Sequence, residues 1–294
     1  MRYAFGNNVM KILLAIDETP ASQIAVEEIA GLPWPDDTMV EVLTVVEQGR
    51  QAPAGLVGAV AAILGAAGLR AQEKLVTGDP KTVIAERAAD MKADLIVIGS
   101  HRGSVLKDLF LSNVATDTIR HAAGSVAVVR PRIDNAIVAR KILLATDGSM
   151  LADAAARAVA SRPWPVRTEV RVLSVVEVIL PTMHALFEPP FVNSDEAQKA
   201  REAALLRAQN AIMAAVAILA PAGLAVSESL SVLLDGTKEV ILKEAADWGA
   251  DWIFVGSHGR QGTERFLMGS VSEAVAAEAA CSVEVVRAPH ANSA

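Results

Sequence analysis

The chain is written twice. KILLAID at 11–17 returns as KILLATD at 141–147, with one substitution and an offset of 130 residues. PWP at 33–35 and VEVLTVVE at 40–47 return at the same offset, as PWP at 163–165 and VRVLSVVE at 170–177. Later segments repeat at a longer offset of 157: ADLIVIGSH at 93–101 with ADWIFVGSH at 250–258, and VAVVR at 126–130 with VEVVR at 283–287. The second copy is therefore 27 residues longer, and all of the excess falls between its second and third repeated segments. A duplicated chain folds into whatever one copy can specify, made twice. The boundary lies near Pro131, giving domains of 1–135 and 136–294, each of ordinary single-domain length.

Within each copy the hydrophobic period alternates. Short β-branched runs, Lys11–Ile16, Val40–Val46, Leu95–Ile98 and Val126–Val129, are bounded by Gly, Asp or Pro and read as buried strands, with another around Glu73–Val76. Ala-rich stretches of helical period, such as Ser22–Ala30 and Thr82–Met91, lie between them. Strand–helix alternation demands right-handed crossovers and a parallel sheet covered on both faces. Composition agrees: hydrophobic residues make up 52% of the chain but aromatics only 4%, which suits Ala/Val/Leu/Ile helices packed on parallel strands. The expected fold is α/β, two tandem doubly wound, Rossmann-like parallel sheets of five strands each. Ligands of such sheets bind beyond the strands' carboxyl ends, where strand order reverses. Asp17, Asp147, Gly99 and Gly256 all sit just past strand ends.

Charge and residue counts exclude several classes. The net charge of −7 argues against nucleic-acid binding, which a basic excess drives. The single cysteine, Cys281, forbids an intrachain disulfide and fits a reducing, cytoplasmic setting. The start of the chain reads as a short leader before the first strand, because Asn7, Asn8 and Lys11 interrupt any signal-like apolar core. Residues 51–69 carry no charge over 19 positions, but their glycines and lack of flanking aromatics argue against a membrane span. The five histidines (101, 121, 184, 258, 290) do not cluster at metal-ligand spacing. Walker A, G-x-G-x-x-G, G-x-S-x-G and H-E-x-x-H patterns are all missing from the sequence.

The most informative loop follows the fourth strand of the second copy: Gly256-x2-Gly259-x9-Gly269-Ser270, with a helix expected from Val271. Glycines let backbone N–H groups approach an anion, and a helix N-terminus favours negative charge. The same residues also suit ordinary turns, with Ser270 and Glu273 as a capping box. Behind the loop, Asp147 ends the first strand, where the plainer alternative is a helix N-cap for the segment after it.

In this spacing, together with KILLATDGS, LSVVE, VGSHGR, GSVSEAV and VEVVR in order, the chain resembles the universal stress protein family in both halves. The resemblance implies an ATP-binding fold, with Mg2+ or Mn2+ at the phosphates, whose domains pair through their last strands. It places Asp147 at the adenine and ribose end, Val175 and Val176 at the base through their backbone, and Gly256, Ser257, His258, Gly259, Gly269, Ser270 and Val271 around the ribose and phosphates. Arg260 is placed to reach the phosphates. Pairing of VAVVR with VEVVR would make an internal pseudo-dimer and leaves further association of two chains open. The resemblance also implies a stress-response regulator whose surface changes with nucleotide occupancy for protein partners yet to be identified.

The first half departs from the pattern. Asp17 and Gly99 remain, but Arg102, Ser112 and Asn113 replace Gly259, Gly269 and Ser270, so its site is expected to be degenerate and occluded by Arg102. The insertion at 179–205 carries prolines, His184 and two phenylalanines, then a charged helix from about Asp195; it reads as a loop packed on its own core, as a lid over the nucleotide or as cover for a partner surface. Two other functions stay open at this level. One is a slow ATPase or nucleotidyl transferase, for which Asp147 and His258 are the only candidate groups. The other is an interaction module whose glycines serve only turns.

Overall fold

A computed structural model describes residues 9–100, 113–132, 139–177, 194–233, 236–259 and 268–287. Arg102, Ser112, Arg260, the 179–193 segment with His184, and the side chain of Asn113 lie outside the described residues.

The first half runs β1 (Lys11–Ala15), α1 (Pro20–Gly31), β2 (Met39–Val46), α2 (Leu56–Ala66), β3 (Arg70–Thr77), α3 (Pro80–Met91), β4 (Leu95–Gly99), α4 (Asn113–His121) and β5 (Ser125–Val129). The second repeats the order: β6 (Lys141–Ala145), α5 (Met150–Ala160), β7 (Glu169–Glu177), α6 (Ser194–Leu219), β8 (Ala225–Leu233), α7 (Thr237–Trp248), β9 (Trp252–Gly256), α8 (Ser270–Glu278) and β10 (Ser282–Val286). Each expected strand is present with ends shifted by a few residues, the largest change being β3, which starts at Arg70. Its solvated, charged side chains hide its strand character from a hydrophobic count.

The strands form one ten-stranded sheet, ordered β3-β2-β1-β4-β5-β10-β9-β6-β7-β8. Within each half every pairing is parallel. Strand residues alternate between faces. Thus Ile12 and Leu14 join a core under α1, α2, α5 and α6, while Leu13 and Ala15 join one under α3, α4, α7 and α8.

The halves meet where β5 and β10 pair antiparallel, with Val128 opposite Val283, Ala127 opposite Glu284 and Val126 opposite Val285. The internal pairing of the last strands is thus realised as a pseudo-dimer. The arginines that close VAVVR and VEVVR cross the seam reciprocally. Arg130 donates to the carbonyls of Ala276 and Ala277 at the end of α8 and of Cys281 just before β10, and Arg287 to those of Ile119 and Arg120 at the end of α4. Each meets the negative end of a helix dipole, where a cation is favoured.

Two buried ion pairs have no repeat counterpart: one, Arg140–Glu28, joins the halves, and the other, Arg162–Glu284, lies within the second half and reaches the first through Trp34. Arg140 meets Glu28, whose carboxylate also accepts from the Trp252 indole at 2.9 Å. Arg162 holds Glu284 at 2.6 Å and lies over Trp34, Trp164 and Phe254. A buried carboxylate persists only when paired and hydrogen-bonded, and these two are.

The helix Gln198–Ala222 is long and apolar enough to cross a membrane by length and composition. Its stripe Ala208, Ala211, Ile212, Ala215 and Leu219 is buried within this fold, packed on α5 and β7.

Candidate functional site

In each half the chain leaves β1 or β6 toward one side of the sheet and later returns to the other. The reversal opens a crevice at the carboxyl ends of β1/β4 and of β6/β9. In the second half this crevice is a cavity of about 610 Å³, a volume suited to a small-molecule ligand.

The cavity brings together most of the site residues expected from sequence. Asp147, Val175, Val176, Gly256, His258, Gly259, Gly269, Ser270 and Val271 all line it. Ser257 lies beneath the wall: it is 2% exposed, and its carbonyl accepts from Gly269 N–H and from the Ser272 hydroxyl, both at 2.8 Å. Those two bonds tie the end of β9 to the start of α8.

The three glycines have separable reasons. A Cβ at Gly256 would lie 2.8 Å from the Leu151 carbonyl carbon, so this glycine lets α5 abut β9. A Cβ at Gly269 would come within 3.1 Å of the Ser257 carbonyl oxygen. At Gly259 the obstacle is the Asp147 carboxylate itself, 2.8 Å from the added atom. Only this last glycine opens space directly beside a ligand-facing side chain.

The expected capping box does not form. The helix starts at Ser270 with Gly269 at its N-cap and no side-chain cap, and Glu273 instead pairs with Arg120 across the halves. The first residues of this helix, Ser270, Val271 and Ser272, line the cavity, so N–H groups that a helix start leaves outside its own ladder lie at the wall. Asp147 is not the N-cap of α5 either. Ser149 is, accepting from Ala152 N–H at 3.2 Å, while Asp147 Oδ1 accepts from Ser149 N–H at 2.9 Å. The carboxylate is thus oriented by the backbone at the cavity edge.

His258 carries the one clear electrostatic shift in the site. Burial, then the positive charge of Arg287, pushes its pKa below the ordinary histidine value, so the ring is neutral at pH 7. Its Nδ1 faces Ser257 Oγ at 3.2 Å, and its buried Nε2 has no partner among the described residues. Some cavity residues went unseen in the sequence: Thr237 and Ile241 come from α7, and Ala204, Arg207 and Ala208 from α6. No spacing rule links them to the glycine loop; only the crossovers bring them there.

The first half shows why its site differs. Ser22 stands where the second half has Ala152. Its hydroxyl donates to Asp17 Oδ1 at 2.6 Å and accepts from Asp17 N–H at 2.8 Å. Thr19 adds a hydroxyl bond at 2.5 Å and a backbone one at 3.0 Å. Burial raises the Asp17 pKa, but these hydrogen bonds outweigh it and hold the carboxyl below its ordinary value. Asp17 thus accepts from two hydroxyls of its own loop, whereas Asp147 has Ala152 in place of Ser22 and lines the cavity. Gly99 is retained for packing, since a Cβ there would overlap the Ala21 carbonyl of α1.

Among the described residues no group of three or more His, Cys, Asp or Glu is placed to hold a metal ion. The described wall offers groups that an adenine nucleotide would use: a cradle a Cβ would fill at Gly259, helix-start N–H groups, a histidine nitrogen with no partner among the described residues and one oriented carboxylate.

Comparison with known proteins agrees with this reading of the fold. A model described as the universal stress protein family matches residues 8–130 and again 139–287. Universal stress protein A homolog 2 of Coxiella burnetii is 46% identical over 61 residues, 21% of this chain and 41% of that protein. The chain thus spans less than half the length of that curated relative. A universal stress protein from Archaeoglobus fulgidus shares the fold at 19% identity, covering 95% of this chain and 97% of its own, with a TM-score of 0.63. A family protein from Arabidopsis thaliana, solved with AMP bound, matches 43% of this chain and 94% of its own at 19% identity and a TM-score of 0.34.

Proposed function

The chain belongs to the universal stress protein family, and on that premise we propose that it is a tandem, cytoplasmic member that binds ATP in its second domain (136–294) and acts as a nucleotide-dependent regulator. The observation that carries the reading is the cavity at the ends of β6, β7 and β9, where the Gly259 backbone lies against the Asp147 carboxylate. Backbone at Val175 and Val176 would meet the base, and Asp147 the ribose. Gly256, Gly259, Gly269, Ser270 and Val271 would present N–H groups to the phosphates, joined by His258 and Arg260. Bound ATP supplies the phosphate charge that these donors need. Asp147 is the one carboxylate on the described wall, so Mg2+ or Mn2+ would arrive mainly on the phosphates.

The first domain (1–135) is proposed to bind nucleotide weakly or not at all, because Asp17 is already saturated by Ser22 and Thr19.

The test is nucleotide identity and stoichiometry. The purified protein is denatured, the released small molecules are identified by mass spectrometry, and ATP, AMP and cyclic AMP are titrated calorimetrically. About one ATP per chain supports the reading. Two per chain would refute the closed first site. No released nucleotide and no binding heat would refute nucleotide binding and leave an interaction module. Phosphate release abolished by Asp147→Asn, with ATP affinity retained, would turn the regulator into an enzyme.

A further inference from the structure

The second half differs from the first mainly in one helix. Along the sheet edge, Val170 pairs with Val226 as Val40 pairs with Ala71. In that register Ala215 and Leu219 of α6 stand where Val60 and Leu64 stand in α2, and all four are buried. Leu56, the first residue of α2, then corresponds to Ala211. Everything in α6 before Ala211 is an extension the first half lacks: α6 has 26 residues against 11 in α2.

This extension lines the cavity through Ala204, Arg207 and Ala208. Its position is set one turn further on, where Ala211 presses against Gly148. A Cβ at Gly148 would lie 3.1 Å from the Ala211 Cβ, and Gly148 has a left-handed backbone with φ of 76°. The loop that presents Asp147 and the helix that presents Arg207 are therefore locked together by two small residues.

Arg207 lines the same cavity as Asp147 and forms no ion pair among the described residues. It is the one permanently cationic side chain on the described wall. An arginine side chain is cationic at any working pH, and its planar fork matches phosphate oxygens.

We infer that Arg207, delivered by the α6 extension, binds the phosphate end of the nucleotide and makes the second site selective for phosphorylated ligands. This rests on the nucleotide reading above and adds to it a residue outside the glycine loop. It also gives the inserted turns a function: they bring a cation to the cavity.

The experiment titrates the full chain and its Arg207→Gln and Arg207→Lys variants with ATP and with adenosine. Arg207 is exposed, so the variants fold, and an unchanged Tm verifies it. The expected result is about tenfold weaker ATP binding by Arg207→Gln, with adenosine affinity unchanged. The salt dependence of ATP binding flattens, and Arg207→Lys restores part of the loss. Equal losses for ATP and adenosine would mean that Arg207 only shapes the wall, and unchanged ATP affinity that it does not touch the phosphates. Either result overturns the inference and leaves the nucleotide reading standing. A wild-type protein that binds adenosine but gains nothing from phosphates overturns the inference as well. Absence of binding to both ligands overturns the nucleotide reading and this inference together.

Discussion

Replacing Gly259 with alanine tests the site at its tightest point. The new Cβ would stand 2.8 Å from Asp147 Oδ2, closer than real Cβ atoms approach an oxygen, so the carboxylate must move. Its other oxygen holds Ser149 N–H at 2.9 Å, and Ser149 caps α5, so the cheapest response is to swing Oδ2 away from the cavity and keep Oδ1. The ligand then loses a hydrogen bond to a charged group, worth about 1.5–3 kcal/mol, or about 10- to 100-fold in affinity. The fold loses far less. Gly259 is exposed and its backbone is not left-handed, so alanine is allowed there and gains up to about 1 kcal/mol from a less flexible unfolded chain. Calorimetric ATP titration should show the loss, while Tm moves by no more than about 4 °C. Gly259→Arg, which imitates the residue at 102 in the first half, should abolish binding. Unchanged affinity in Gly259→Ala would refute the assignment of Asp147 to the ligand. A collapse of Tm to match the lost affinity would show that the glycine serves packing alone.

Three further outcomes follow from the geometry. Gly99→Ala forces the α1 backbone to move and should cost about 3 kcal/mol or more in urea unfolding. Gly31→Ala, with nothing within 4 Å of the new atom, should be neutral; equal effects would undo the packing argument. The β2–α3 ion pair Glu41–Arg87 has its charges exchanged in the second half, as Arg171–Glu244 on β7 and α7. Glu41→Arg alone should therefore destabilise by about 3 kcal/mol, and adding Arg87→Glu should recover more than half of it in a double-mutant cycle. Ser22→Ala should raise the Asp17 pKa, readable by carboxyl NMR titration. Because the folded pKa lies below the ordinary 3.8, the stability Ser22 lends is complete above pH 4 and fades as pH falls through the folded value. A gap between wild type and variant that persists undiminished in strong acid would show that Ser22 acts by another route.

The duplicated strands and the helices between them were legible because each rests on a local hydrophobic period that occurs twice; the pairing of the last strands came only from the family resemblance, and its antiparallel sense from the structure. The ends of elements were less so. The Ser270–Glu273 spacing suggested a capping box, but Glu273 found Arg120 of the other half, a partner 153 residues away. The same limit hid both buried ion pairs of the seam. Glu28, Arg140, Arg162 and Glu284 have no counterparts in the repeat, so nothing in one copy announces them. At the site, the glycine spacing was readable because one loop carries it. Arg207 and Thr237 were not, because the crossovers deliver them from α6 and α7.

Comparison of the two halves separates what the scaffold needs from what the ligand needs. Gly99 and Gly256 occupy equivalent positions, and in both halves an added Cβ would strike the backbone of the following layer, at Ala21 or at Leu151. Retention of that glycine follows from helix-on-strand packing and says nothing about nucleotide. Asp17 and Asp147 are also equivalent, yet their hydrogen-bond partners differ. Asp17 Oδ1 accepts from the Ser22 hydroxyl and from the Thr19 hydroxyl and N–H, whereas Ala152, in the place of Ser22, has no hydroxyl to give Asp147 at the cavity. A shared aspartate therefore marks a shared strand end, and the residue five positions later decides which hydrogen bonds its carboxylate makes. If the first half binds nucleotide weakly, as proposed, the cause need not be a long side chain in the loop: Ser22→Ala combined with removal of the Thr19 hydroxyl should then strengthen ATP binding there, read as a second site in calorimetric titration, without altering the sheet.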